Sequence, residues 1–166
     1  MKKLIVMLVC AVMACGVAMA KGPKEPEVTE VSLVGEGVGN GGKPLMVVTC
    51  AAKKADKVTD DEIRRCAVHG ILFRGYADKS NTSSFDASTS HPALLPADQE
   101  AGNADYFTDF FGSGAYNTYV DIIPDTRRVM KNGKQYYVSQ TVVINVPALR
   151  KKLEKDGMLK SLKSGW

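Results

Sequence analysis

Asn132-Gly133 lies between two alternating runs, residues 127–131 and 134–146, and no other feature constrains this chain as much. Asn-Gly adopts the positive φ that a two-residue hairpin turn requires, so its flanks must pair antiparallel. In the second run Tyr136, Val138, Val142, Ile144 and Val146 share one face. Tyr137, Ser139, Thr141 and Asn145 share the other. Period-two patterning of this kind predicts a sheet with one buried and one wetter face.

Further strands are expected near 28–35, 45–52 and 70–76, each rich in β-branched or aromatic residues. Thr59 and Glu62 have the spacing of a capping box, and Ile63, Cys66, Ala67 and Gly70 recur at helical spacing after it. A short helix is therefore predicted before the strand at 70–76. Residues 78–96 form a long polar connection rich in Ser, Thr, Asp and Asn, a length that points to function or mobility. A second helix is predicted over 97–111, with Ala97, Ala101, Ala104, Phe107 and Phe111 on one stripe. Residues 116–123 read as a short strand or a last helical turn. Pro147 opens a final helix to Asp156, with Leu149 and Leu153 inward and Gly157 as its stop. The expected fold is a single α+β domain over 28–166, an antiparallel sheet with helices packed on one face.

The first twenty residues are of another kind. Lys2 and Lys3 precede an apolar run, and Ala18-Met19-Ala20 forms a small-residue cleavage site. This is the pattern of a secretory signal peptide, 1–20, too short in its apolar part to span a bilayer. Cys15 in Val12-Met13-Ala14-Cys15-Gly16 offers a second cut, with lipidation of Cys15. Residues 21–27, with two prolines, read as a flexible tether. The chain is thus expected to be exported, to the periplasm or outer membrane of a Gram-negative bacterium.

The glycine-rich stretch 35–44 fits two nucleotide motifs: Gly37, Gly42 and Lys43 give G-x-x-x-x-G-K, and Gly37, Gly39 and Gly42 give G-x-G-x-x-G. Both motifs need a helix to begin within the glycines. Here Pro44 comes next, where magnesium would require Ser or Thr, and then a β-type run. A hairpin bend between paired strands fits better, and no nucleotide or other cofactor is expected.

The remaining chemistry is sparse. Cys50 and Cys66 can pair as a disulfide in an oxidising envelope or stay as buried thiols. Without a matching His cluster they make a poor zinc site, and no metal is expected. Cys66 with His69 could form a catalytic couple, although His69 equally suits a helix end. The carboxylates Asp98, Glu100, Asp105 and Asp109 could act as acid and base, or simply face solvent. Tyr106, Tyr116 and Tyr119, with His91 in the loop before them, are the candidate ligand or partner surface. From 127 to 163 there are ten Lys or Arg against Glu154 and Asp156, whereas 78–125 holds one Lys against seven Asp and one Glu. The basic end could meet an anionic lipid or polysaccharide. Nucleic acid is disfavoured by export and by the lack of exposed interleaved aromatics.

Taken together, AVHGILFRG (67–75), ADYFTDFF (104–111), GKQYYVSQTVVIN (133–145), LRKKLEKDG (149–157) and the terminal SGW resemble a group of small exported proteins of Bacteroidota without an established activity. The order of elements is also loosely similar to small lipoproteins associated with the outer membrane. The resemblance implies an exported single domain and transfers no catalytic residue. The expected function is that of a non-enzymatic envelope protein binding a protein, glycan or lipid partner. Its alternatives are a small periplasmic hydrolase using Cys66 and His69 or the 98–109 carboxylates, and a structural subunit of an envelope assembly.

Overall fold

Strand β1 (Val28–Val38) turns back on β2 (Pro44–Ala52) through a short 3-10 turn at Asn40–Gly42. Gly41 and Gly42 both adopt positive φ there, and Gly39 N–H donates to the Lys43 carbonyl at 2.7 Å. The glycines therefore make a hairpin bend and a bulge in β1 between Gly35 and Gly37, with no α-helix beginning among them. The computed structural model describes residues 28–78, 89–96 and 98–160. The expected signal peptide and tether, Cys15 with them, lie outside the described residues, as do 79–88 of the polar connection.

Helix α1 (Asp60–Phe73) starts where the sequence places it, with the Thr59 hydroxyl accepting from Glu62 N–H at 3.3 Å. It does not stop at Gly70. The expected strand at 70–76 is absent, because the apolar stripe of Ile63, Cys66 and Ala67 continues through Ile71, and all four are buried. The helix ends instead at Gly75, whose φ of +76° lets its N–H reach the Gly70 carbonyl at 2.8 Å. A Cβ at Gly75 would lie 2.2 Å from the His91 carbonyl oxygen, so only glycine fits. The chain then enters a three-residue strand, β3 (Tyr76–Asp78), paired with β4 (Thr89–His91). β3 runs parallel to β1, with Val34 opposite Ala77, so the sheet is mixed and mostly antiparallel rather than wholly so.

The helix expected over 97–111 is divided. α2 (Asp98–Gly102) and α3 (Ala104–Gly112) meet at Asn103, whose side-chain amide donates back to the Gln99 carbonyl at 3.1 Å. A 3-10 turn at Ala115–Tyr119 leads into β5 (Val120–Ile122), so residues 116–123 contain both a helical turn and a strand. The Asn132-Gly133 hairpin then joins β6 (Arg128–Asn132) to β7 (Gln135–Ile144), with Gly133 at φ 58°. Helix α4 (Val146–Lys155) comes last, capped by Asn145 Oδ1 accepting from Ala148 N–H.

The seven strands run in the order β4-β3-β1-β2-β7-β5, and β6 also pairs with β7. β7 thus meets β5 along its last residues and β6 along its first. Its inward residues Val138, Val142 and Ile144 are fully buried, as the alternation predicts. They join Leu33, Met46, Val48 and Cys50 from the sheet, α1, Phe107 and Phe110 of α3, and Leu149 and Leu153 of α4 in one core. Val34, Val47, Thr49, Ser139 and Thr141 alternate with these and are half-buried, the wetter face. The architecture is α+β, as expected. No helix among the described residues is long and apolar enough to cross a membrane.

Candidate functional site

The residues that the sequence offers as a partner surface lie at different depths and in two places. Tyr116 is 2% exposed and belongs to the core. Its hydroxyl donates to Asp61 Oδ2 at 2.8 Å, and Asn117 donates to the other oxygen of the same carboxylate. Those two bonds, Asn117 first, hold the Asp61 carboxyl below its ordinary range. Tyr106 is half-buried and donates to Asp156 Oδ2 at 2.5 Å. Burial, and then the carboxylate each one meets, push both phenols up, so they stay protonated donors. Tyr119 is half-buried beside Phe110, at 6.5 Å between ring centroids. His91 is elsewhere, on β4, stacked on Tyr76 at 4.3 Å and 4.0 Å from Asp78 Oδ2. Packing needs explain the tyrosines: an aromatic run beside a helix fills a core before it lines a rim.

Cys50 and Cys66 are free thiols, both buried. The neighbouring Cys66 thiol, and then burial, push the Cys50 thiol well above its ordinary value. Glu100 pairs with His69, while Asp98, Asp105 and Asp109 are exposed along α2 and α3. Among the described residues no three His, Cys, Asp or Glu are arranged to hold a metal ion.

One cluster is invisible in the sequence because its members lie on three elements. Glu30 of β1 is 8% exposed and faces α1 across Gly70, where a Cβ would lie 2.9 Å from Glu30 Oε1. His69 Nδ1 lies 3.5 Å from Glu30 Oε2, and His69 Nε2 lies 3.0 Å from Glu100 Oε1. Arg74 Nε is 3.8 Å from the same Glu30 oxygen, and its Nη1 donates to the Glu30 carbonyl at 3.1 Å. Glu30 Oε2 has ion-pair neighbours at these distances but no well-formed hydrogen bond. Glu30, and then Glu100, hold the His69 imidazolium above its ordinary value, against the opposing effect of burial. Both ring nitrogens face carboxylates, so neither is left for Cys66. A cleft of about 120 Å³ opens here, lined by Thr29, Glu30, Arg65, Cys66, His69 and Arg74.

A second region is open to solvent. Every residue of β6 is exposed, with Val129 at 51% and Met130 at 65%. Among the described residues β6 pairs with β7 alone, so its outer edge keeps unpaired N–H and C=O groups. Residues 127–134 carry Arg127, Arg128, Lys131 and Lys134 with no acid among them. Beside this strand, on the wetter face, lies a cleft of about 440 Å³. Val47 and Met130 give it an apolar part, Ser139 and Thr141 contribute hydroxyls, and Glu36, Asp125 and Arg128 bring charges.

The link between β5 and β6 shapes that cleft. Residues 123–127 leave the sheet, and Asp125 takes φ 58°, the only positive φ outside glycine among the described residues. Gln140 Nε2 donates to the Ile123 carbonyl at 3.0 Å, and Thr141 N–H donates to Thr126 Oγ1 at 3.1 Å, so β7 fills the gap with side-chain bonds. Arg127 ties the link to α1 by donating to the Val58 carbonyl and by its pair with Asp60 at 3.5 Å. The hairpin signal is legible in Asn132-Gly133. That β6 stands clear of the core is not, since its own sequence carries Val129 and Met130. Comparison with protein-family models, with curated proteins and with solved structures found no match to this chain.

Proposed function

We propose that the protein is an exported, non-enzymatic component of the cell envelope that binds an extended, acidic segment of a partner protein along β6. The observation that carries this reading is the exposed edge strand itself, with Val129 and Met130 uncovered between Arg128 and Lys131. An open edge recognises another strand through backbone hydrogen bonds, and alternate side-chain positions give specificity. The flanking cations repel a second copy of the same edge and attract an acidic partner. Lipid and glycan surfaces match the charge but cannot continue the ladder of backbone bonds. The hydrolase alternative draws no support from the geometry, because His69 is held by two carboxylates and the Cys50 and Cys66 sulfurs are buried.

The test is a photo-crosslinking residue placed at Met130 in the full chain, in envelopes, with the exposed Lys54 as a control position. One protein adduct from Met130, abolished by Arg128→Glu with Lys131→Glu, is expected. Protection of the β6 amides from hydrogen exchange in the recovered complex should accompany it. Adducts of lipid or glycan alone, or the same adducts from both positions, would reject the reading.

A further inference from the structure

We propose that the cleft on the wetter face of the sheet binds a small zwitterion with an apolar side chain, an α-amino acid taken either free or as a dipeptide. Its volume of about 440 Å³ is that of a small-molecule site. Its charges are of both signs: Glu36 of β1 and Asp125 of the 123–127 link against Arg128 of β6. Among the described residues none of these three has an ion-pair partner, so Arg128 reaches neither carboxylate. Opposite charges that line one cleft without neutralising each other match a ligand that carries both. Its ammonium meets the carboxylates and its carboxylate meets the guanidinium, each through charge-assisted hydrogen bonds.

Both carboxylates are delivered by breaks in regular backbone. Glu36 is the extra residue of the β1 bulge between Gly35 and Gly37, and a bulge re-aims the side chain it carries. Asp125 holds φ 58°, a conformation that few side chains adopt. Val47 and Met130 supply the apolar wall. Gln140 lines the cleft too and is 4% exposed. Its Nε2 donates to the Ile123 carbonyl and to Thr126 Oγ1, while its Oε1 is buried with no hydrogen-bond partner. An acceptor in that state carries a desolvation cost that a donor brought into the cleft would relieve. Among the described residues no aromatic ring lines this cleft, so a nucleobase finds no face to stack on. The inference does not depend on a partner at the β6 edge, although Arg128 and Met130 belong to both.

The purified full chain is titrated by calorimetry with leucine, leucyl-leucine, isoamylamine and isocaproate, and the amide NMR shifts of Ser139 and Thr141 locate the binding. Leucine or leucyl-leucine should bind at these residues, and the tighter of the two tells a free amino acid from a peptide. Isoamylamine lacks the carboxylate and isocaproate lacks the ammonium, so each should bind at least about tenfold more weakly. Glu36→Gln with Asp125→Asn should weaken the tighter zwitterion by about tenfold or more. Both substitutions keep the side-chain size, and asparagine tolerates the φ of Asp125. The double variant should still give the Met130 adduct, which separates this cleft from the edge. Wild-type chain that binds the zwitterion without forming that adduct would reject the edge reading alone. Absence of binding by either zwitterion at about 10 mM overturns the proposal. So does binding of isoamylamine or isocaproate as tight as that of leucine, or binding that leaves Ser139 and Thr141 unshifted.

Discussion

The two ends of β7 share one strand and one edge, yet they live in different solvents. Near its C-terminus Val142 and Ile144 are wholly buried and pair with β5, whose Val120 is 2% exposed. Near its N-terminus the strand pairs with β6, where nothing is buried. Alternation continues through both halves, so pattern alone cannot separate them. The difference lies in what packs behind: α1 contacts β5 and the inward side of β7, while β6 runs beyond the helix layer. Sheet continuity is thus used for two purposes, one half as core and one half as a projecting edge.

Truncation should divide the halves most sharply. Ile144→Ala should cost about 2–5 kcal/mol, read by chemical denaturation, because it opens a cavity in a closed core. A cost below about 1 kcal/mol would mean that this end is no better packed than the hairpin. The junction comes next. Gln140→Ala removes the donor to the Ile123 carbonyl and should cost about 1–3 kcal/mol. If it instead leaves stability unchanged while loosening β6 in hydrogen exchange, the junction holds the edge and not the core.

A pH titration sharpens the contrast from the core side. His69 gains Glu30 and Glu100 on folding, so its folded pKa lies above its unfolded one. The stability it contributes is fully present below the unfolded value, about 6.5, and is lost as pH rises through the raised folded value. The gap in melting temperature between wild type and His69→Gln should therefore shrink from mildly acidic to alkaline pH. A gap that stays constant would show that the imidazole acts by packing against Phe73 and Phe111 alone. The smallest effect is expected at the edge. Met130→Ser should change stability by no more than about 0.5 kcal/mol while abolishing capture of the partner strand. A larger loss of stability would place Met130 in the fold and not on a binding edge.

Much of the fold can be read from residues whose reasons are local. Thr59 and Glu62 mark the start of α1, Asn132-Gly133 marks the hairpin, and the glycines before Pro44 mark the bend between β1 and β2. The end of α1 escapes such a reading although its stripe continues to Ile71, because Ile, Leu and Phe in succession suit a strand equally well. The parallel placing of β3 cannot be read, since a three-residue strand has too little pattern to show its neighbour. The site is less legible still. Glu30 looks like an ordinary outward residue of a strand, and only the missing Cβ of Gly70, on a different element, makes room for its carboxylate. Tyr116 looks available for a partner because aromatic composition is the same in a core and on a rim.

The brief contact between β1 and β3 has a consequence for how the molecule comes apart. Only Val34 and Gly35 find partners in β3, and Gly75 must hold a left-handed turn against His91 to keep that strand aligned. The β3–β4 corner joins β1 by two residue pairs alone, so it should be the first piece to unzip. Each such excursion would bare the far edge of β1 for an instant, giving the molecule a second, transient place where a foreign chain could anneal.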